Sequence, residues 1–326
     1  MGADNSPLLG ASRLPLFMVS FSLIAAGTFA LVTSISGTFL PHDEYFLGMT
    51  AAELCAIQGC RILHFMIHDR ISFGGALISI GLLYFWLTSF PLRMGKAWAW
   101  WLFLVSGVVG FLSFFAYLGF GYLDTWHGLS TLALFPCYVV GMLWSASKLP
   151  GVANIRCLSR SSVLRSWRTP GVFGRVCLLG SSTGLMAGGL TIMLVGMSCI
   201  FVPQDLEFIG LSAEQMQALN PRLLPLIAHD RAGFGGAVCC CGLTLFFCVL
   251  CGADSKSLWV ILTMVGTIGF GTAIGVHPAI GYNDAIHVGP AIVGACVYFT
   301  GLGLTFKPMM IDTGGEHAQR AKPEFC

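Results

Sequence analysis

His68-Asp69-Arg70 and His229-Asp230-Arg231 stand in matching contexts, HDRISFGGAL and HDRAGFGGAV. A histidine offers a metal ligand or a proton acceptor near neutral pH. A neighbouring aspartate can orient it, and an arginine can clamp an anion or a carboxylate. A second pattern recurs as Asp124-x-x-His127 and Asp284-x-x-His287. Residues i and i+3 share a helix face, so each such pair could give an oxygen and a nitrogen to one metal. The candidate catalytic set is therefore His68, Asp69, Arg70, Asp124 and His127, with His229, Asp230, Arg231, Asp284 and His287 as second-half equivalents. The candidate ligands are His68, His127, Asp124, His229, His287 and Asp284, with the hydroxyls of Tyr122 and Tyr282 nearby. His42, His64 and His277 have no histidine counterpart in the other half and rank below this set.

A plainer reading competes. The aspartates suit helix N-caps, and Arg70 and Arg231 would then snorkel to headgroups. It leaves the histidines unexplained and sets a cation against the positive end of a helix dipole.

The elements that must position these groups are apolar. The chain of 326 residues is 56% hydrophobic and 10% charged, against about 25% charged in soluble domains. A helix needs about 20 residues to cross a bilayer. Eight runs qualify: 15–39, 71–90, 98–120, 126–146, 175–200, 232–252, 257–276 and 286–306. Backbone groups in lipid must be satisfied internally, so the runs are read as helices, and the alternation of a barrel is absent. The first is read as a retained helix, not a cleaved signal.

Three landmarks repeat at nearly one offset. Val202-Pro203-Gln204-Asp205 follows Leu40-Pro41-His42-Asp43 by 162 positions, His229 follows His68 by 161, and Gly281-Tyr282 follows Gly121-Tyr122 by 160. The expected fold is all-α integral membrane, with eight transmembrane helices as two parallel four-helix repeats. The expected divisions are a first repeat at 1–147, a basic cytoplasmic linker at 148–174, a second repeat at 175–306 and a cytoplasmic tail at 307–326. Alternating helices put 13 of the 17 Lys and Arg residues on one side and 4 on the other, which predicts both termini inside a plasma membrane. Seven of the eight histidines and ten of the fifteen acids then face outside or the periplasm.

The connections 40–69 and 202–230 are long. Thr50-x-x-Glu53 and Ser212-x-x-Gln215 read as capping boxes of short helices, after Gly48 and Gly210. The apolar residues from Leu54 to Met66 suggest an interfacial helix or lid. HDR is expected at the start of the following helix. Cys55 and Cys60 could pair if that side is oxidising, and most other cysteines act as small hydrophobes. Gly74, Gly75, Gly235, Gly236, Gly184-x-x-x-Gly188 and Gly271-x-x-x-Gly275 are read as helix-packing positions. Trp98, Trp100 and Trp101 are read as an aromatic belt.

The paired pattern, with its L-P-H-D and G-Y-x-D-x-x-H stretches, resembles polytopic bacterial membrane proteins, a likeness that implies no particular activity. The spans lack interior ionisable groups, which counts against a carrier or channel. The first reading is a membrane enzyme or redox protein holding a divalent transition metal, with haem as the lesser cofactor. Its substrate would be lipid-like, quinone-like or periplasmic. Alternatives are a noncatalytic subunit with a membrane or periplasmic protein partner, and a transporter. No nucleic acid is expected as a partner. The first half, with more ionisable groups, is the better site candidate.

Overall fold

In the computed structural model of the chain, the described residues are 10–115, 122, 125–149, 152–153, 155–159 and 169–310, with 114, 115, 127, 157 and 159 described by backbone alone. The regular elements among them are helices: α1 (Leu14–Ile35), α2 (Pro41–Leu47), α3 (Ala51–Cys55), α4 (Arg61–Ser89), α5 (Ala97–Phe115), α6 (Thr125–Ala146), α7 (Pro170–Met197), α8 (Pro203–Ile209), α9 (Ala213–Leu219), α10 (Leu223–Cys251), α11 (Lys256–Ile280) and α12 (Ala285–Met310). Seven of them, α1, α4, α6, α7, α10, α11 and α12, are long and apolar enough to cross a bilayer. The chain is thus a multi-pass, all-helical protein of membrane type. The third of the eight expected runs forms α5, a shorter apolar helix, and 116–121 lie outside the described residues.

Hydroxyls inside the spans turn back onto their own helices. Ser20 donates to the Leu16 carbonyl, Ser182 to Leu178, Thr244 to Cys240 and Thr305 to Gly301. Each bond satisfies a polar group where lipid or a packed neighbour offers none. α7 opens on Thr169 as N-cap with Pro170 behind it, and α11 on Ser255.

α4 and α10 are the most buried spans. α1 lies against α4, where a Cβ on Gly27 would stand 2.6 Å from the Gly74 carbonyl oxygen. α7 lies against α10 in the same way, a Cβ on Gly189 meeting the Gly235 carbonyl oxygen at 2.7 Å. The first glycine of each FGG stretch thus permits backbone contact, and the second, Gly75 or Gly236, makes room for the side chain of Thr272 or Ser113. Gly184, Gly188, Gly271 and Gly275 differ from expectation, because a Cβ there would meet nothing within 4 Å. The tryptophans differ too. Trp98 is buried, and the Trp100 and Trp101 indoles donate inward to the carbonyls of Met142 and Val152.

At one end of the bundle, α2, α3, α8 and α9 form a lid with its own apolar core, built on Leu54, Phe65, Ile209, Met216 and Leu226. Thr50 and Ser212 cap α3 and α9 as the capping boxes predict, and Gly48 and Gly210 close α2 and α8 in the left-handed region. A Cys55–Cys60 disulfide ties α3 to α4. The lid halves clasp each other reciprocally. Arg61 donates to the Phe208 carbonyl at 3.4 Å, and Arg222 to the Phe46 carbonyl at 2.7 Å.

One expectation about local structure is corrected. α4 begins at Arg61 and α10 at Leu223, so each HDR lies about two turns inside its helix rather than at its start. Ile62, Leu63, Phe65 and Met66 continue α4 under the lid core instead of lying in the interface. Asp69 and Asp230 therefore have no orphan amides to cap.

Candidate functional site

The two HDR segments face each other across α4 and α10, and each arginine serves the other segment's aspartate. Arg70 Nε donates to Asp230 Oδ2 at 2.7 Å, while its NH1 donates to Asp43 Oδ2 at 2.8 Å. Arg231 NH1 donates to Asp205, and its Nε stands 3.7 Å from Asp69 Oδ2. Asp43 and Asp205 occupy the same place in the lid, at the third position of α2 and α8, where they also accept from the amides of Leu40 and Val202. Each of these two carboxylates takes a tyrosine hydroxyl as well, Tyr122 on Asp43 and Tyr282 on Asp205. Asp43, Asp69, Asp205 and Arg231 are buried. Charges so placed persist only when paired and hydrogen-bonded; here Asp69 Oδ2 and Arg231 Nε face each other as an ion pair without a hydrogen bond.

This frame orients histidines. His68 Nδ1 stands 2.9 Å from Asp69 Oδ1, and His229 Nδ1 stands 3.1 Å from Asp230 Oδ1. A carboxylate can only accept, so Nδ1 carries the proton and Nε2 of the neutral ring is left bare. Tyr282 donates to Asp205 Oδ1 at 2.8 Å, and its oxygen lies 3.1 Å from His287 Nδ1. With its proton given to Asp205, the phenol accepts from His287, which again leaves Nε2 bare. Burial, and then the neighbouring Asp205, raises the Tyr282 pKa, so the hydroxyl keeps the proton that this arrangement needs. Arg231, between Asp69 and Asp205, joins the supports of His68 and His287 into one network.

His68, His277 and His287 converge. One ligand atom from each lies within 4.8 Å of the others. His68 Nε2 and His277 Nε2 are 3.2 Å apart, their rings edge to face. His277 Nδ1 makes no hydrogen bond of normal geometry among the described residues. His68 and His277 are buried, and His287 is 16% exposed. The set has the makings of a three-histidine metal centre. Two of the three imidazoles are oriented through Nδ1, His68 by the Asp69 carboxylate and His287 by the Tyr282 hydroxyl tied to Asp205.

Of the ten residues singled out from the sequence, His68 and His287 meet in this cluster, Asp69 supports it directly and Arg231 joins its supports. Asp284 accepts from the His287 amide at 2.7 Å and acts as a helix cap. His229, Asp230 and Arg70 form a separate group, with the His229 ring 4.9 Å from that of Tyr122. Asp124 and the side chain of His127 lie outside the described residues. His277 is the member that sequence reasoning ranks below the repeated set. At the repeat offset of 160 its counterpart is Tyr117. A search confined to residues shared by both halves passes over it, although its closeness in sequence to His287, across one short turn, was a usable signal. No protein-family model, curated protein or solved structure matches the chain.

Proposed function

We propose that the chain is a duplicated, eight-span protein of the plasma membrane, with both termini inside. In this reading His68, His277 and His287 hold a divalent transition metal near the outer face, and the protein is a membrane enzyme acting on a lipid-like or quinone-like substrate. The observation that carries it is the convergence of three imidazoles, two of them with ligand nitrogens pre-set by Asp69 and by the Tyr282–Asp205 pair. Three imidazoles suit zinc, copper or iron. A bare ion is favoured over haem, since nitrogens 3.2 Å apart leave no space for a macrocycle between His68 and His277. A bound ion would polarise a substrate oxygen or lower the pKa of a bound water. The reciprocal ion pairs and the Cys55–Cys60 disulfide on the lid side support the duplication and the outward orientation.

Elemental analysis of the detergent-purified protein tests the metal. The expected result is one metal per chain, lost in a His68→Ala/His287→Ala variant that still folds. A folded wild type that carries no metal, and takes up none on dialysis against zinc, copper or iron, would overturn it.

A second reading rests on Arg70. Its guanidinium is bound by both Asp43 and Asp230 and stacks 5.2 Å from the Phe39 ring centroid. This group is complete without any ligand. For the Arg70–Asp43–Asp230 group, fastening the lid to α4 and α10 is the better account, and a noncatalytic protein would use both clusters so.

A further inference from the structure

α7 and α12 touch near one end and part toward the other. A Cβ on Gly174 would stand 2.7 Å from the Gly301 carbonyl oxygen, and further along Ser181 donates to the Gly294 carbonyl at 3.0 Å. Beyond that point Gly184 and Gly188 meet nothing. The two helices therefore frame a cleft of about 700 Å³, floored by α4, α10 and α11. That volume is the size of a site for one small molecule. Along α12 the cleft runs from Val297 to His287, roughly 15 Å at helical rise.

The lining decides what fits. His287 stands at the upper end, and the other walls are apolar side chains and glycine backbone apart from two hydroxyls, Ser181, already bonded to Gly294, and Ser72, which makes no hydrogen bond among the described residues. A polar occupant would lose its hydrogen bonds with water over that length and regain almost none. A hydrocarbon chain loses nothing. Gly184, Gly188 and Val293 are exposed, so the cleft opens sideways to where lipid surrounds the bundle. There is one polar end, and it belongs to the three-histidine cluster.

We infer that this cleft admits a single-chain amphiphile sideways from the bilayer, its tail between α7 and α12 and its compact, oxygen-bearing head at His287. The inference rests on the metal reading for the chemistry at the head, and on the cleft alone for the tail. The corresponding cleft, between α1 and α6, is smaller at about 490 Å³. Its polar end is lined by His229 and by the Arg70–Asp43–Asp230 ion pairs, and no three-histidine cluster stands there among the described residues.

The test uses the full chain in phosphatidylcholine nanodiscs with palmitic acid carrying a mid-chain diazirine. Photolabelled peptides are mapped by mass spectrometry, and metal content is measured on the same samples. Labelling should concentrate on the facing residues of α7 and α12. It should be lost in Gly184→Phe, which fills the cleft from a position with open space, and kept in Gly271→Phe, an equal change outside it. Metal content should be the same in all three proteins. Labelling spread evenly over the outer helix faces, or unchanged in Gly184→Phe, overturns the inference and leaves the metal reading standing. Cleft labelling that obeys the variants in a metal-free protein supports the tail site and removes the metal.

Discussion

His68 Nε2 stands 3.2 Å from His277 Nε2, across 209 positions of the chain. Asp69 holds the proton of His68 on Nδ1, so its Nε2 is a bare acceptor. The gap is closed either by a proton on His277 or by a metal. Nitrogens bound to a tetrahedral zinc at about 2.0–2.1 Å lie roughly 3.3 Å apart, so this pair is already spaced for a shared ion. His277→Ala should therefore abolish stoichiometric metal binding, whereas His229→Ala should leave it intact. Elemental analysis of both variants checks this, and equal loss in the two would refute the assignment of ligands.

Tyr282 links His287 to Asp205 through Nδ1 and leaves the His287 Nε2 clear. Tyr282→Phe removes the acceptor that fixes the His287 tautomer and leaves the ring packing. Such supports typically contribute about 10–100-fold in metal affinity, and Asp69→Asn should cost the same order through His68. The Tyr282 pKa is raised by burial. The phenol thus stays protonated from neutral into alkaline pH, and the Tyr282→Phe effect should not change over that range. Competition with a chelator of known affinity gives the ratios. An unchanged affinity in both variants would mean that the histidines orient themselves.

Arg231 lies between Asp205 and Asp69 and is itself buried. Arg231→Met would strand two buried carboxylates. Removing one partner of a buried pair costs about 3–5 kcal/mol, so a marked fall in the thermal midpoint in detergent is expected. Asp205→Asn placed on Arg231→Met should recover part of that loss, since it removes one stranded charge. A midpoint that falls further in the double variant would show that Asp205 acts chiefly as the lid cap and not as the arginine's partner.

Much of this arrangement is legible in the residues. The apolar runs mark the spans, the boxes at Thr50 and Ser212 mark the lid helices, and the recurrent HDR marks the level of the site. The pattern did not disclose that each arginine serves the other segment's aspartate, because sequence spacing carries no information on which helices face each other. The start of α4 at Arg61, ahead of HDR, is hidden for a related reason. Ile62 to Met66 are apolar at both an interface and a core, and the lid that makes them core comes from a distant part of the chain. His277 falls outside the recurring pattern because its counterpart is Tyr117. In the duplicated reading proposed above, one site can specialise, and symmetry then hides the residue that differs.

The glycines divide by the same rule, and their substitution tests the packing directly. Gly189 and Gly271 are both helical and look alike in sequence, each in a small-residue stretch. A Cβ on Gly189 would press on the backbone of α10, 2.7 Å from the Gly235 carbonyl oxygen, and backbone cannot swing away as a side-chain tip can. A Cβ on Gly271 would meet nothing within 4 Å. Gly189→Ala must push α7 from α10, and overpacking of this kind typically costs about 1–3 kcal/mol. Gly271→Ala removes the helix penalty of glycine, about 0.5–1 kcal/mol, at no steric cost. The thermal midpoint should fall in the first variant and hold or rise in the second. A fall of equal size in both would mean that the α11 face around Gly271 is covered in the membrane by a partner or a second copy of the chain.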